Sequence, residues 1–141
     1  MEPFYGPGTA IGEHGWMVND IRKRRTPIIS GGTGVWSFIH IDDAARFTLA
    51  AITHGAPGIY NIVDDDPAPV SQWLPALAEA LGAKPPRRIP AWIARFIIGD
   101  AVIFLTNARG ASNAKAKGAF GLNLKWPSWR DGFRRGLGDP L

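Results

Sequence analysis

Apolar residues recur at three- and four-residue intervals in the stretch 71–81, where Trp73, Leu74, Leu77, Ala78 and Leu81 share a face, Ser71 stands at the cap position and Gly82 follows. That spacing predicts an amphipathic helix, and Pro75 lies near its first turn, where a missing N–H costs least. A second helical period starts at Asp42, puts Ala45, Leu49 and Ile52 on one face and stops at Gly55. A shorter one spans 14–25, with Trp16 or Met17 and Ile21 apolar and a basic end before Pro27. The apolar run 91–105, AWIARFIIGDAVIFL, reads as one buried or half-buried helix, and two short helical pieces, near 112–119 and 129–137, close the chain.

Between the helices lie short runs rich in β-branched and aromatic residues. Pro27, Ile28 and Ile29 lead into the turn SGGTG, and 35–39 (VWSFI) follows, which predicts two strands meeting at a hairpin-like corner. IYNIV at 59–63, between Gly58 and Asp64, predicts a third. This order of elements indicates an α/β class with an α+β-like character: few strands, about five helices, and too little strand for a sizeable sheet.

The chain has 141 residues, 45% of them hydrophobic, the size of one domain able to bury a core. It has no cysteine, which removes disulfides and thiolate metal sites from consideration. The net charge of +4 and the cluster Arg22, Lys23, Arg24, Arg25 raise nucleic acid as a partner. The cluster lacks interleaved aromatics, however, and positive charge is favourable at a helix C-terminus for its own sake, so no specific nucleic-acid site is expected. The 91–105 run is too short for a membrane span and carries Arg95 and Asp100, so no membrane contact is expected either. The first residues, MEPFYGPGTA, lack the basic and apolar regions of a secretory signal, and a cytoplasmic location is expected.

Several stretches look chemical. The glycines of SGGTG precede a strand instead of a helix and are followed by no Lys-Ser or Lys-Thr, so they fit neither a dinucleotide fingerprint nor a P-loop. A turn is the simpler account. Asp42 and Asp43 sit where a helix begins, where Asp42 can accept from first-turn N–H groups and pair with Arg46. Asp64, Asp65 and Asp66 lack the glycine and further ligands of a calcium loop and read as a turn. His14, His40 and His54 have no zinc spacing, and Ser37, His40 and Asp43 lack a nucleophile elbow. Neither a catalytic nor a metal-binding set emerges.

Four segments in order, FYGPGT, GGTGVWSFIHIDDAAR, GIYNIVDDDPAPVS and RGASNAKAKGAFG, together resemble the C-terminal half of the NAD(P)-dependent epimerase/dehydratase family, the extended short-chain dehydrogenases. The resemblance covers nearly the whole chain. It implies the substrate-binding part of an extended Rossmann-type fold, with Phe4, Tyr5, Gly6 and Pro7 beside the nicotinamide and 59–63 a late strand of the core sheet. The glycine fingerprint and the catalytic Tyr-x-x-x-Lys would then precede residue 1. The two tyrosines here are followed four residues on by Thr9 and Asp64, so no such dyad exists. NAD or NADP is thus the cofactor of an intact homologue, and none is expected to bind this chain tightly by itself.

The resemblance also bears on substrate. Nucleotide-sugar enzymes of the family typically carry G-T-G-x-R-D-F/Y-I-H, whose arginine pairs with the substrate diphosphate, whereas this chain reads GTGVWSFIH. Trp36 cannot neutralise a diphosphate, although it can pack on a ring-shaped group, so a small-molecule substrate other than a nucleotide sugar is implied. Trp36 is then either a pocket wall or a core residue, and Arg109 either a contact for an anionic group or a surface arginine. Two functional readings follow: the substrate-pocket portion of an oxidoreductase, inactive without its Rossmann half, or a non-catalytic module that pairs with a second copy or another chain through exposed strand edges.

Overall fold

The computed structural model describes residues 3–138. Among them run six two-residue strands and seven helices: β1 (Phe4–Tyr5), α1 (Trp16–Arg22), β2 (Ile28–Ile29), β3 (Val35–Trp36), β4 (Ile39–His40), α2 (Ile41–His54), β5 (Ala68–Pro69), α3 (Val70–Ala80), β6 (Arg88–Ile89), α4 (Ala91–Ile98), α5 (Ala101–Asn107), α6 (Ala114–Phe120) and α7 (Trp129–Arg135). The α/β class with few strands holds, with seven helices where about five were expected. The strands form three separate pairs: β1 with β4 and β2 with β6 in parallel, and β3 with β5 antiparallel.

The predicted hairpin does not form. Ser30 and Gly32 both have positive φ (52° and 64°), so the turn after β2 redirects the chain and sends β2 and β3 to different partners. VWSFI is likewise two strands, broken at Ser37 and Phe38. The glycine turn instead supports α3, because the carbonyls of Gly34 and Gly32 accept from the N–H groups of Val70 and Ser71, each at 3.0 Å. Those are orphan donors of the first turn of α3, whose N-cap Pro69 offers no side-chain acceptor. The turn caps a helix with its backbone, and Ser71 is not the cap.

The α3 face lies where the periodicity put it: Trp73, Leu74, Leu77 and Ala78 are buried. Around it gather Trp36, Phe38, Trp129, Phe133 and Tyr5. Phe38 is central to that cluster, with ring centroids 5.3 Å from Trp73 and Phe133 and 6.3 Å from Trp36 and Trp129. Each such pair adds about 0.5–1.5 kcal/mol beyond burial. This cluster joins α3 and α7, which are far apart in sequence, to the β3–β4 segment.

Three predicted elements differ. On α2 the buried face is Asp43, Ala44 and Phe47, while Leu49 and Ile52 stand 63% and 78% exposed. The 91–105 run breaks at Gly99 and Asp100, where Gly99 takes φ +59°, and Arg95 bridges the corner to Asp100 at 3.0 Å. Trp92, Phe96, Ile97 and Ile103 of the resulting α4–α5 hairpin are exposed, not buried. Residues 59–63 form no strand among the described residues; the Ile59 carbonyl instead accepts from Lys115. In the basic cluster, Arg22 and Arg24 donate to the backbone carbonyls of Glu13 and Pro85, so part of the cluster ties down neighbouring loops.

Substitution at two glycines separates conformational from steric constraint. At Gly82 a Cβ meets open space, so Gly82→Ala costs only the left-handed penalty of about 1–2 kcal/mol. At Gly32 a Cβ would also press on Ile28 and on the Ser71 backbone. Urea denaturation should therefore show Gly32→Ala losing clearly more stability than Gly82→Ala.

Candidate functional site

The acids that look catalytic in the sequence are engaged by the backbone. Asp43 is fully buried: Oδ1 accepts from Arg46 at 2.7 Å and from the Lys125 N–H at 3.0 Å, and Oδ2 from the Trp126 N–H at 2.8 Å. Asp42, expected to cap α2 and pair with Arg46, instead faces Lys125 at 3.2 Å. The cap is His40, whose Nδ1 accepts from the Asp42 N–H at 3.1 Å while Nε2 donates to the Gly136 carbonyl at 3.0 Å. Both imidazole nitrogens are thus occupied, and Ser37 Oγ accepts from the Ala111 N–H, so Ser37, His40 and Asp43 form no triad.

Asp64, Asp65 and Asp66 take three different directions. Asp64 is buried and accepts from the N–H groups of Asp66 and Trp129. Asp65 accepts from Asn113 at 2.6 Å and from Lys117, joining the RGASNAKAKGAFG segment to the 63–66 turn. Asp66 accepts from Ser128 and Arg130. Burial pushes the Asp64 carboxyl up to about 7, with help from the charges of Asp66 and Asp65 and against the pull of its two N–H donors. Burial would raise Asp65 as well, but the hydrogen bonds from Asn113 and Lys117 and the lysine charge outweigh it and hold that carboxyl below its ordinary value. Among the described residues no group of three acids, histidines or cysteines is placed to hold a metal.

The FYGP segment does not present one face. Phe4 is exposed and borders a cleft with Ile39, Thr48 and Tyr60. Tyr5 points inward, edge-on to His40 at 5.0 Å and Phe133 at 5.5 Å, with a buried hydroxyl that has no partner. Burial and the nearby acids Asp64, Asp43 and Asp131 push that phenol far up, so it stays neutral. Gly6, at φ +112°, packs its backbone on His40, where a side chain would collide with the imidazole. Pro7 borders a separate open cleft with Thr9, Glu13 and His14. Of the four residues expected at a nicotinamide, Phe4 and Pro7 are accessible, from different clefts.

Trp36 and Arg109 lie on segments joined through the backbone, and Arg109 does not line the cavity beside Trp36. Trp36 is 6% exposed, packs against Trp73 with centroids 4.7 Å apart and planes tilted by 36°, and with Ile29, Val70, Leu74 and Leu105 lines an apolar cavity of about 110 Å³. It is core residue and cavity wall at once. The segment after α5 is laced to β3 by the Val35 N–H donating to the Ala108 carbonyl at 2.8 Å, and Arg109 follows, exposed. Among the described residues Arg109 makes no ion pair.

Residues 2–63 match the family model of the NAD dependent epimerase/dehydratase family. A 3-diazoavenalumate denitrifying reductase of Streptomyces is 44% identical over 132 residues, which are 93% of this chain and 43% of that protein. By these matches the chain is similar to the NAD-dependent epimerase/dehydratase family. Its fold agrees: a human epimerase family protein crystallised with NADPH superimposes with a TM-score of 0.75 at 20% identity, covering 96% of this chain and 46% of the other. A dTDP-glucose 4,6-dehydratase of Streptomyces venezuelae with NAD and TYD bound gives 0.65 at 20% identity, covering 96% and 40%. The chain spans less than half the length of these relatives.

Sequence patterns do not reveal Trp73 as a cavity residue, since its place in the α3 stripe marks it as core. Leu105 escapes them too, because the break after Gly99 that turns α5 toward the cavity is hidden within a continuous apolar run. No helix among the described residues is long and apolar enough to cross a membrane.

The Asp64 carboxyl gives a pH signature. Its folded value lies above the ordinary 3.8, so the folded state holds the proton more tightly and stability from this group falls as pH rises from about 4 through about 7. Urea midpoints at pH 5 and pH 8 should differ less in Asp64→Asn than in the parent protein. Either setting of the new amide turns its NH₂ toward a backbone N–H, so the variant should also lose about 1–3 kcal/mol.

Proposed function

We propose that this chain is the substrate-pocket portion of an NAD(P)-dependent oxidoreductase and acts only when joined to a dinucleotide-binding half. The observation that carries this is motif content: the four segments from FYGPGT to RGASNAKAKGAFG are present in order, while the glycine fingerprint and the Tyr-x-x-x-Lys dyad are not in the sequence. In the complete enzyme that dyad exchanges a proton with a substrate hydroxyl or carbonyl while hydride moves to or from the cofactor. This chain's part is to close the pocket, keep water out and orient the substrate. The relative at 44% identity is named as a reductase of 3-diazoavenalumate, which supports reduction of a small molecule other than a nucleotide sugar. Trp36 in the place of a diphosphate-pairing arginine supports the same restriction, with Arg109 the proposed contact for a substrate anion.

Exposed Phe4, Leu49, Ile52 and Ile59 fit this reading, since they give a complementing half apolar surface to cover. The same residues support the second reading, self-association of a non-catalytic module. Calorimetry with NADH and NADPH separates them. The chain alone should show no saturable binding, and a fusion to the dinucleotide-binding half of the Streptomyces reductase should bind within the range of about 1 µM to 1 mM usual for enzyme ligands. Tight dinucleotide binding by the chain alone contradicts the first reading. A fusion that binds no dinucleotide, beside a chain that sediments as a dimer, favours the second.

A further inference from the structure

The α4–α5 hairpin has an apolar exterior that its own packing does not use. Of the described residues in α4 and α5, only Ala94 and Val102 are buried. Trp92, Phe96, Ile97, Ile98 and Ile103 are exposed, Trp92 by 65% and Phe96 by 87%. Such a concentration of large apolar side chains in water marks a contact surface. It belongs to different elements from the surface of Phe4, Leu49, Ile52 and Ile59, and it is tied to the 33–35 turn: the Thr33 hydroxyl donates to the Thr106 carbonyl at 3.1 Å and the Val35 N–H to that of Ala108. The chain beside this hairpin is basic. The stretches 21–41 and 80–99 contain no Asp or Glu and hold eight of the chain's 16 Lys and Arg. The fold sets the two stretches side by side, because β6, which leads into α4, pairs in parallel with β2, which follows the 22–25 cluster, and Arg24 donates to the Pro85 carbonyl at 3.1 Å. Lys23, Lys84, Arg87 and Arg88 are exposed and, among the described residues, in no ion pair.

We propose that the α4–α5 hairpin docks on an anionic lipid surface, with its apolar side chains entering the acyl boundary and the cations of 22–25 and 84–88 against the headgroups. Trp and Phe beside Lys and Arg, on helices too short to cross a bilayer, are the composition of a segment that lies in the interface plane. Arg95 and Asp100 argue against a span but not against this, since they satisfy each other at 3.0 Å at the hairpin's corner. A second copy of the chain is a poor occupant, because it brings the same cations to the contact. A protein groove is a poor one too. Grooves take a single stripe of a helix, whereas Phe96, Ile97 and Ile98 are consecutive on α4 and point about 100° apart around its axis. A fluid interface surrounds all three.

The test is co-sedimentation of the full 141-residue chain with lipid vesicles. The chain should bind vesicles of equal parts phosphatidylcholine and phosphatidylglycerol, leave those of phosphatidylcholine alone largely unbound, and come off the mixed vesicles as salt is added. Arg87→Ala and Arg88→Ala should each weaken binding about 5-fold, and Trp92→Ser with Phe96→Ser about 10-fold or more. All four side chains are exposed, so these variants keep the fold. Leu49→Ser with Ile52→Ser, on the other apolar surface, should leave binding unchanged. So should fusion to the dinucleotide-binding half used for calorimetry, which shows whether that half covers the hairpin. The proposal is overturned if the mixed vesicles do not bind the chain, if neutral ones bind it equally, if the Leu49 and Ile52 substitutions weaken binding as much as those of Trp92 and Phe96, or if fusion abolishes it. Pelleting of the chain without vesicles, a sign of self-association, overturns it as well. No dinucleotide takes part, so failure here leaves the oxidoreductase reading standing, and failure of the calorimetric test leaves the lipid contact standing.

Discussion

The fold depends on buried carboxylates that hold backbone N–H groups far along the chain. Asp43 binds the N–H groups of Lys125 and Trp126, more than eighty positions away, and Asp64 binds that of Trp129. With strands only two residues long, the sheets supply few of the cross-links that usually fix a topology. The acids supply them instead, and they do so in low dielectric, where a carboxylate–amide bond is strong and a stranded partner is costly. Once 123–129 is pinned, α7 is delivered to the aromatic cluster, Phe133 meets Phe38 and Tyr5, and the Gly136 carbonyl reaches His40.

That arrangement explains why the most chemical-looking residues read as structural in this fold. Paired and tripled aspartates in a catalytic site need a proton to move or a metal to hold, whereas Asp43 and Asp64 have both oxygens, and Asp66 its Oδ2, accepting from donors in the fold. The clamps also fix the segment around β3, and with it the wall from which Trp36 faces the cavity. Ser37, next in sequence, holds the loop that follows α5 through the Ala111 N–H. Cavity, loop and Arg109 are therefore positioned by the same few polar contacts.

What the sequence shows of this depends on range. The α3 stripe is legible because its period and its burial have the same cause, one apolar face against one core. On α2 the period is equally clear, but Leu49 and Ile52 face away from the described core, so the pattern marks an apolar stripe that the fold leaves exposed. The SGGTG turn resembles a hairpin because local letters carry the turn but not the destination of the strands it joins. Asp42 and Asp43 are indistinguishable as letters; only the packing of 123–126 against α2 buries one and leaves the other at the rim. The break at Gly99 is present in the sequence as a glycine followed by aspartate, and the strength of the surrounding apolar run hides it.

Amide hydrogen exchange at Lys125, Trp126 and Trp129 tests the central claim most directly. The segment 121–128 is irregular, and an irregular surface segment ordinarily exchanges fast through local opening. If the buried carboxylates hold the fold together, these three amides exchange as slowly as that of Leu77 in the middle of α3, and Asp43→Ala releases Lys125 and Trp126. Exchange at the rate of an open loop in the unaltered protein would contradict the account.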